Sequence, residues 1–194
     1  MKVLGTQLVP AEELQSLKGL RRADRFSKLA VFTAKKLLDR VEIPTDALGI
    51  ILCTQFGPHA TTFSFLDDIL DYDDIDVSPT KFSQSVHNAA AFYLGSSLAV
   101  RGPVSTVTRF EKPFQEALRL AWAWLAEQRA THVLVGYIEE SSEPMAYIQQ
   151  NYSLPSYSSD KLREGAFFLL LSNEGNEKIE DVIRLFEMSP LQKK

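Results

Sequence analysis

Residues 114–130 include Ala117, Leu118, Leu120, Ala121, Trp122, Ala123, Trp124, Leu125 and Ala126, a helical segment that is apolar on nearly every side. A helix without a polar face must sit at the centre of its domain, sandwiched between layers, so the rest of the chain has to supply those layers. Residues 2–9 form a short apolar run closed by Pro10, which suits an opening strand. Residues 48–53 and 132–138 are continuous apolar runs of strand length, 104–108 is a β-branched run, and 166–171 is another strand. Runs apolar on both faces belong to a sheet covered on both sides. Between the strands lie helical periods. Phe26, Leu29, Ala30, Thr33, Ala34, Leu37, Leu38 and Val41 mark one face over residues 24–41, and Phe65, Leu66, Ile69 and Leu70 mark another over 61–70. Residues 81–100 hold a further helix, ended by Gly102 and Pro103. The polar stretch 139–165, with Pro144, Pro155 and several serines, reads as a long loop. In the tail, residues 177–188 fit both a helix and an alternating strand. Strands alternating with helices predict a layered α/β domain with a mostly parallel sheet, a single unit over residues 1–194.

Composition narrows the function classes. With 45% hydrophobic and 24% charged residues, 194 residues suffice to bury one core. The net charge of −4 offers no basic field to a phosphate backbone, so no nucleic-acid partner is expected. One cysteine, Cys53, allows neither an internal disulfide nor a thiolate metal cluster, which fits a cytoplasmic protein without metal or other cofactor. The opening residues carry Glu12, Glu13 and Lys18 rather than a signal-peptide core, and no apolar run approaches the ~18 residues of a membrane span.

Three segments, in order, resemble the N-terminal half of the β-ketoacyl synthases, a thiolase-fold family. Arg21-Arg22-Ala23-Asp24-Arg25-Phe26-Ser27 resembles the entry to that family's first helix. Ser78-Pro79-Thr80-Lys81-Phe82 with Ser85-Val86-His87-Asn88-Ala89 resembles its Ser-Pro-x-x-Phe and Asn-Ala-Ala segment. Arg101-Gly102-Pro103 with Ser105-Thr106-Val107-Thr108 resembles the Arg-Gly-Pro and Thr-Val-Ser run that leads into the nucleophile. The Ser85, Val86, His87, Asn88 form is especially close to small synthase-like proteins grouped with chain-length factors, of the kind that accompany aryl polyene and related pathways. The resemblance covers residues 2–171. It implies a thiolase-like half-fold with a buried central helix.

It also implies a loss. Active synthases place a cysteine where backbone amides and the helix dipole at the start of the central helix favour the thiolate. That position falls here on Glu111, a far poorer acyl acceptor. The family's decarboxylating histidine pair, or histidine and lysine, comes from a C-terminal half that lies beyond these residues. The resemblance therefore implies a catalytically inactive subunit for fatty acid, polyene or polyketide synthesis. Its expected partner is a full-length ketosynthase, in a heterodimer, or a second copy of itself, joined through Val104, Ser105, Thr106, Val107 and Thr108. Phe63, Phe65, Leu66 and Phe82 correspond to residues that line the partner's acyl tunnel. Lys18, Arg21, Arg22, Arg25 and Lys28 would receive an acidic acyl carrier protein, unless they are simply a solvated face.

Other readings stay open beside it. Glu111 or a histidine acting on an acyl thioester would make the chain an enzyme of another kind, and a homodimeric acyl-chain binding module is a third possibility. Glu111 as an ordinary helix N-terminal acid needs no function. Cys53 reads as a buried structural thiol, although a pairing with a histidine is conceivable. His59, His87 and His132 are too scattered for a metal box, and His87 reads as a hydrogen-bonded helix residue. The run with Asp71, Asp73, Asp74 and Asp76 only faintly resembles a calcium loop, since Asp76 stands where glycine is required.

Overall fold

In a computed structural model of the protein, residues 1–71, 77–151, 164–174 and 178–188 are described. Among them, five strands form one sheet: β1 (Lys2–Pro10), β2 (Leu48–Thr54), β3 (Val104–Thr108), β4 (His132–Glu139) and β5 (Gly165–Ser172), in the order β1-β5-β4-β2-β3. β3, β2 and β4 are parallel, and β5 runs antiparallel to both its neighbours β4 and β1. Four of five strands therefore point the same way, as the alternation of strands and helices requires.

Period-two alternation divides the sheet residues between two layers. Ile50, Leu52, Leu134, Ile138, Phe168 and Leu170 meet α1 (Arg25–Leu38) and α4 (Ala89–Ser97). Ile51, Cys53, Val133, Val135, Tyr137, Phe167 and Leu169 meet α5 (Pro113–Ala126) and α7 (Ile179–Glu187). Gly136 is required where β4 crosses Phe168, because a Cβ there would enter the phenyl ring. Asp24 caps α1, its carboxylate accepting the Ser27 N–H at 3.2 Å.

Several elements differ from expectation, each for a local reason. The segment expected as one helix over residues 81–100 is two, α3 (Pro79–Ser85) and α4, because Val86 turns extended and His87 and Asn88 form a turn. His87 is thus a turn residue rather than a helical one. The expected loop 139–165 begins with α6 (Glu143–Asn151), which packs on α2 (His59–Asp71). The tail is helical: Val182 and Phe186, one turn apart on α7, are buried, and the Phe186 ring stacks on Phe114 at 4.0 Å. The sandwiching expected of α5 is met on its sheet side, where Phe114, Ala117, Leu118, Ala121, Trp124 and Leu125 are buried. Its far side keeps Arg119 and Ala126 exposed and Trp122 at 53% exposure. No described helix is long and apolar enough to cross a membrane.

Candidate functional site

Parallel strands deliver their carboxyl ends to one rim of the sheet, the usual place for a site in α/β folds. Here β2 delivers Thr54 and the Gln55–Phe56–Gly57 turn, β3 delivers Arg109 to Lys112, and β4 delivers Glu139 and Glu140.

Glu111 sits on this rim but is exposed, in a bend ahead of α5. Lys112, with φ of 51°, is the residue before the helix, and Pro113 is its first. The acid within the first turn is Glu116, which accepts Arg109 at 2.8 Å and Arg119 at 2.5 Å. Glu111 therefore stands one residue ahead of the cap, exposed to solvent, rather than at the start of the helix as expected, and the acid that complements the positive end of the dipole from within the first turn is Glu116. Cys53 lies inside β2, wholly buried, and burial first, then the nearby Glu139, pushes its thiol well up. A thiol held neutral in a sheet interior is no nucleophile.

The histidines are dispersed. His59 opens α2, 5% exposed, its Nδ1 3.3 Å from the Gly57 carbonyl and its Nε2 without a hydrogen-bond partner among the described residues. Burial lowers its pKa, opposed by that carbonyl. His87 is exposed and its ring covers Gly57, whose φ of 66° and lack of a Cβ let the turn pass beneath. His132 starts β4 beside the Thr131 hydroxyl at 3.0 Å. Among the described residues no three His, Cys, Asp or Glu side chains cluster as metal ligands. Of the acidic run, residues 72–76 lie outside the described part, and Asp71 ends α2.

The aromatic candidates fall into two groups. Phe65 on α2 and Phe82 on α3 touch, ring centroids 5.5 Å apart, with Leu66 exposed nearby and Phe82 58% exposed. Phe63 instead leans on His59, 6.2 Å between centroids. Ser85 ties these helices together, its carbonyl accepting the Thr62 hydroxyl at 3.0 Å.

β3 is the edge of the sheet. The Ile50 N–H reaches the Pro103 carbonyl at 2.9 Å and the Arg109 N–H reaches the Thr54 carbonyl at 3.3 Å. Backbone groups alternate along a strand, so Pro103, Ser105, Val107 and Arg109 face β2 while Val104, Thr106 and Thr108 turn theirs outward. Among the described residues no strand meets that outward row. Beside it, Asn88, Ala91, Phe92, Val104 and Thr106 line a shallow groove, with Phe92 70% exposed. A second groove is lined by Leu14, Leu17 and Leu20 together with Lys18, Arg21, Arg25 and Lys28.

Sequence reasoning missed Glu139 and Glu140, each 1% exposed. Glu139 Oε1 accepts the Gln55 N–H at 2.5 Å and its Oε2 the Thr54 hydroxyl at 3.1 Å; Glu140 Oε1 accepts the Ala60 N–H at 2.8 Å. Burial pushes Glu139 up to about 8 and Glu140 up to about 7, against the bonds they accept. The available signal was the pair of acids ending the apolar run His132–Glu139, which reads as a strand reaching the functional rim.

The family model described as "Beta-ketoacyl synthase, N-terminal domain" matches residues 5–176. No curated protein matches the sequence. Among solved structures, a chain of the ishigamide ketosynthase/chain length factor superposes with TM-score 0.72 at 23% identity, covering 88% of this chain and 49% of that one. This chain thus spans about half the length of that relative. A chain of the ketosynthase (ApeO) in complex with its chain length factor (ApeC) from Xenorhabdus doucetiae gives TM-score 0.72 at 20% identity, covering 90% of this chain and 79% of that one. A chain of the type II acyl-carrier protein–ketosynthase complex AntDE:AntF gives 0.65 at 12% identity, covering 89% and 57%. At these identities the likeness is one of fold, a thiolase-like ketosynthase half-fold.

Proposed function

Because the chain belongs to the β-ketoacyl synthase N-terminal domain family, we propose that it works as a non-condensing, chain-length-factor-like subunit that pairs with a full ketosynthase and shapes its acyl tunnel. The observation that carries this reading is the edge of β3, open among the described residues and flanked by the exposed Phe92. An edge strand beside apolar side chains is a template for pairing with another chain unless something covers it. Condensation is disfavoured on the same rim: the position that resembles the family's nucleophile holds the exposed Glu111, and the one cysteine is buried in β2. Two of the similar structures contain a ketosynthase with a chain length factor. The Xenorhabdus chain that aligns is itself not much longer than this one.

In this reading Phe82, Phe65 and Leu66 cross the interface and stop a growing acyl chain by volume, since close-packed walls do not stretch to admit extra methylenes. Phe63, turned toward His59, contributes less. The groove between Leu14 and Lys28 takes an acidic acyl carrier protein, its four cations offsetting a chain that is otherwise net acidic. Co-expression with a full-length ketosynthase carrying its own cysteine and histidines tests the proposal. A stable 1:1 complex by light scattering, with no thioester turnover by the isolated chain, is the expected result. A chain that stays monomeric beside the synthase, or that turns over acyl-carrier thioesters alone, overturns it.

A further inference from the structure

Glu139 and Glu140 are consecutive, so they leave the end of β4 toward opposite faces of the sheet, yet both return to the same turn between β2 and α2. Glu139 holds Gln55 directly, and through the Thr54 hydroxyl, which accepts the Gly57 N–H at 2.9 Å, it also holds Gly57. Glu140 holds Ala60 at the first turn of α2. The two carboxyls thereby fix residues 54–60, and with them the direction in which α2 leaves the sheet.

The charges around this clasp do not balance. Glu139 faces Cys53 and Tyr137 across the α5 side, with no cation among the groups that shift it. Glu140 faces Asp24 and Arg25 at the start of α1 and Glu164 ahead of β5. Arg25 is already engaged by Glu164 at 2.5 and 3.1 Å. Around Glu140, among the described residues, the four carboxyls of Glu140, Asp24, Glu164 and Glu12 thus face two cations, Arg25 and, beside Asp24, Lys28, and the buried His59 is held toward its neutral form. Burying unpaired like charges is expensive, and the cluster avoids the cost by keeping a proton or by opening to water.

We propose that Glu139 and Glu140 form a proton-operated clasp: protonated, it holds the β2–α2 turn closed, and on ionisation it loosens the start of α2. The inference deepens the proposed function, because α2 carries Phe65 and Leu66, and a loosened α2 would misplace them at the interface. The sign follows from the raised pKa values. A free Glu titrates near 4.5 and these near 7 and 8, so the closed state holds extra protons between about pH 4.5 and 8. Closure is therefore strongest below about pH 4.5, weakens as pH climbs through that window, and levels off above it. From pH 6 to 9 the opening constant rises about tenfold through Glu140 and about a hundredfold through Glu139, if each regains its ordinary pKa on opening.

Hydrogen exchange on the intact chain, corrected for intrinsic rates and followed from pH 6 to 9 at the amides of residues 54–62, reads this without any partner, so it stands apart from the pairing proposal. Opening should rise at least tenfold at these amides while the amides of β5 stay unchanged. Glu139→Gln and Glu140→Gln should each remove their share of the rise. Should those variants fold poorly, Glu164→Gln leaves the clasp bonds intact and frees Arg25 for Glu140, which should flatten the Glu140 share. Exchange that does not change with pH, or a rise that survives Glu164→Gln and both Gln variants in full, overturns the clasp.

Discussion

Replacing Thr106 by proline separates the two roles of β3. Its N–H belongs to the outward row, because the neighbouring odd-numbered positions make the bonds to β2. Proline is tolerated on an edge strand when the missing N–H points away from the sheet, and the extended residue before it suits Ser105. The isolated chain should lose no more than about 1 kcal/mol, a shift of a few degrees in melting temperature. Pairing should suffer far more. A partner strand that meets β3 loses one backbone bond, is left with an unsatisfied carbonyl at a cost of about 1–3 kcal/mol, and must accommodate the ring. About 2–4 kcal/mol corresponds to a dissociation constant roughly 30- to 1000-fold weaker. Ser105→Pro is the contrast, since it removes a bond toward β2 and should destabilise the chain itself. Sedimentation velocity with and without the ketosynthase, alongside thermal melts, measures both effects. If Thr106→Pro pairs as tightly as the parent, the open edge is not the interface.

Two further perturbations probe other layers. Phe186→Ala removes the ring that stacks on Phe114 at 4.0 Å and should cost about 3–5 kcal/mol by chemical denaturation; a loss under 1 kcal/mol would mean that α7 is not packed on α5 as described. Reversing Lys18 and Arg21 to Glu should weaken binding of an acidic acyl carrier protein at least tenfold at low salt and flatten its salt dependence, whereas unchanged titration curves would return the groove to ordinary solvated surface.

The elements were legible where one physical signal dominated. Leu48–Thr54, His132–Glu139 and Gly165–Ser172 are apolar on both faces and could only be covered strands. The period of Phe26, Leu29, Ala30, Ala34 and Leu37 could only be a helix laid on a sheet. Two signals misled. The apolar composition of 114–130 suggested burial all round, yet Arg119 and Trp122 face outward, because composition counts side chains without weighing where the few polar ones fall on the wheel. The run 81–100 looked like one helix because the break at Val86–His87–Asn88 comes from packing, α3 against α2 and α4 against α1, rather than from a glycine or proline.

What the linear chain determined by itself is the layered α/β class, the order of its five strands, and that Cys53 is its one thiol, since these depend on residue type and local period. What only the tertiary structure decided is which strand lies at the edge, that Glu116 rather than Glu111 meets the start of α5, and that Glu139 and Glu140 converge on a turn some eighty residues away. Those outcomes rest on which distant groups share a dry volume, and neither burial nor the charge balance it enforces is a property of any local stretch of sequence.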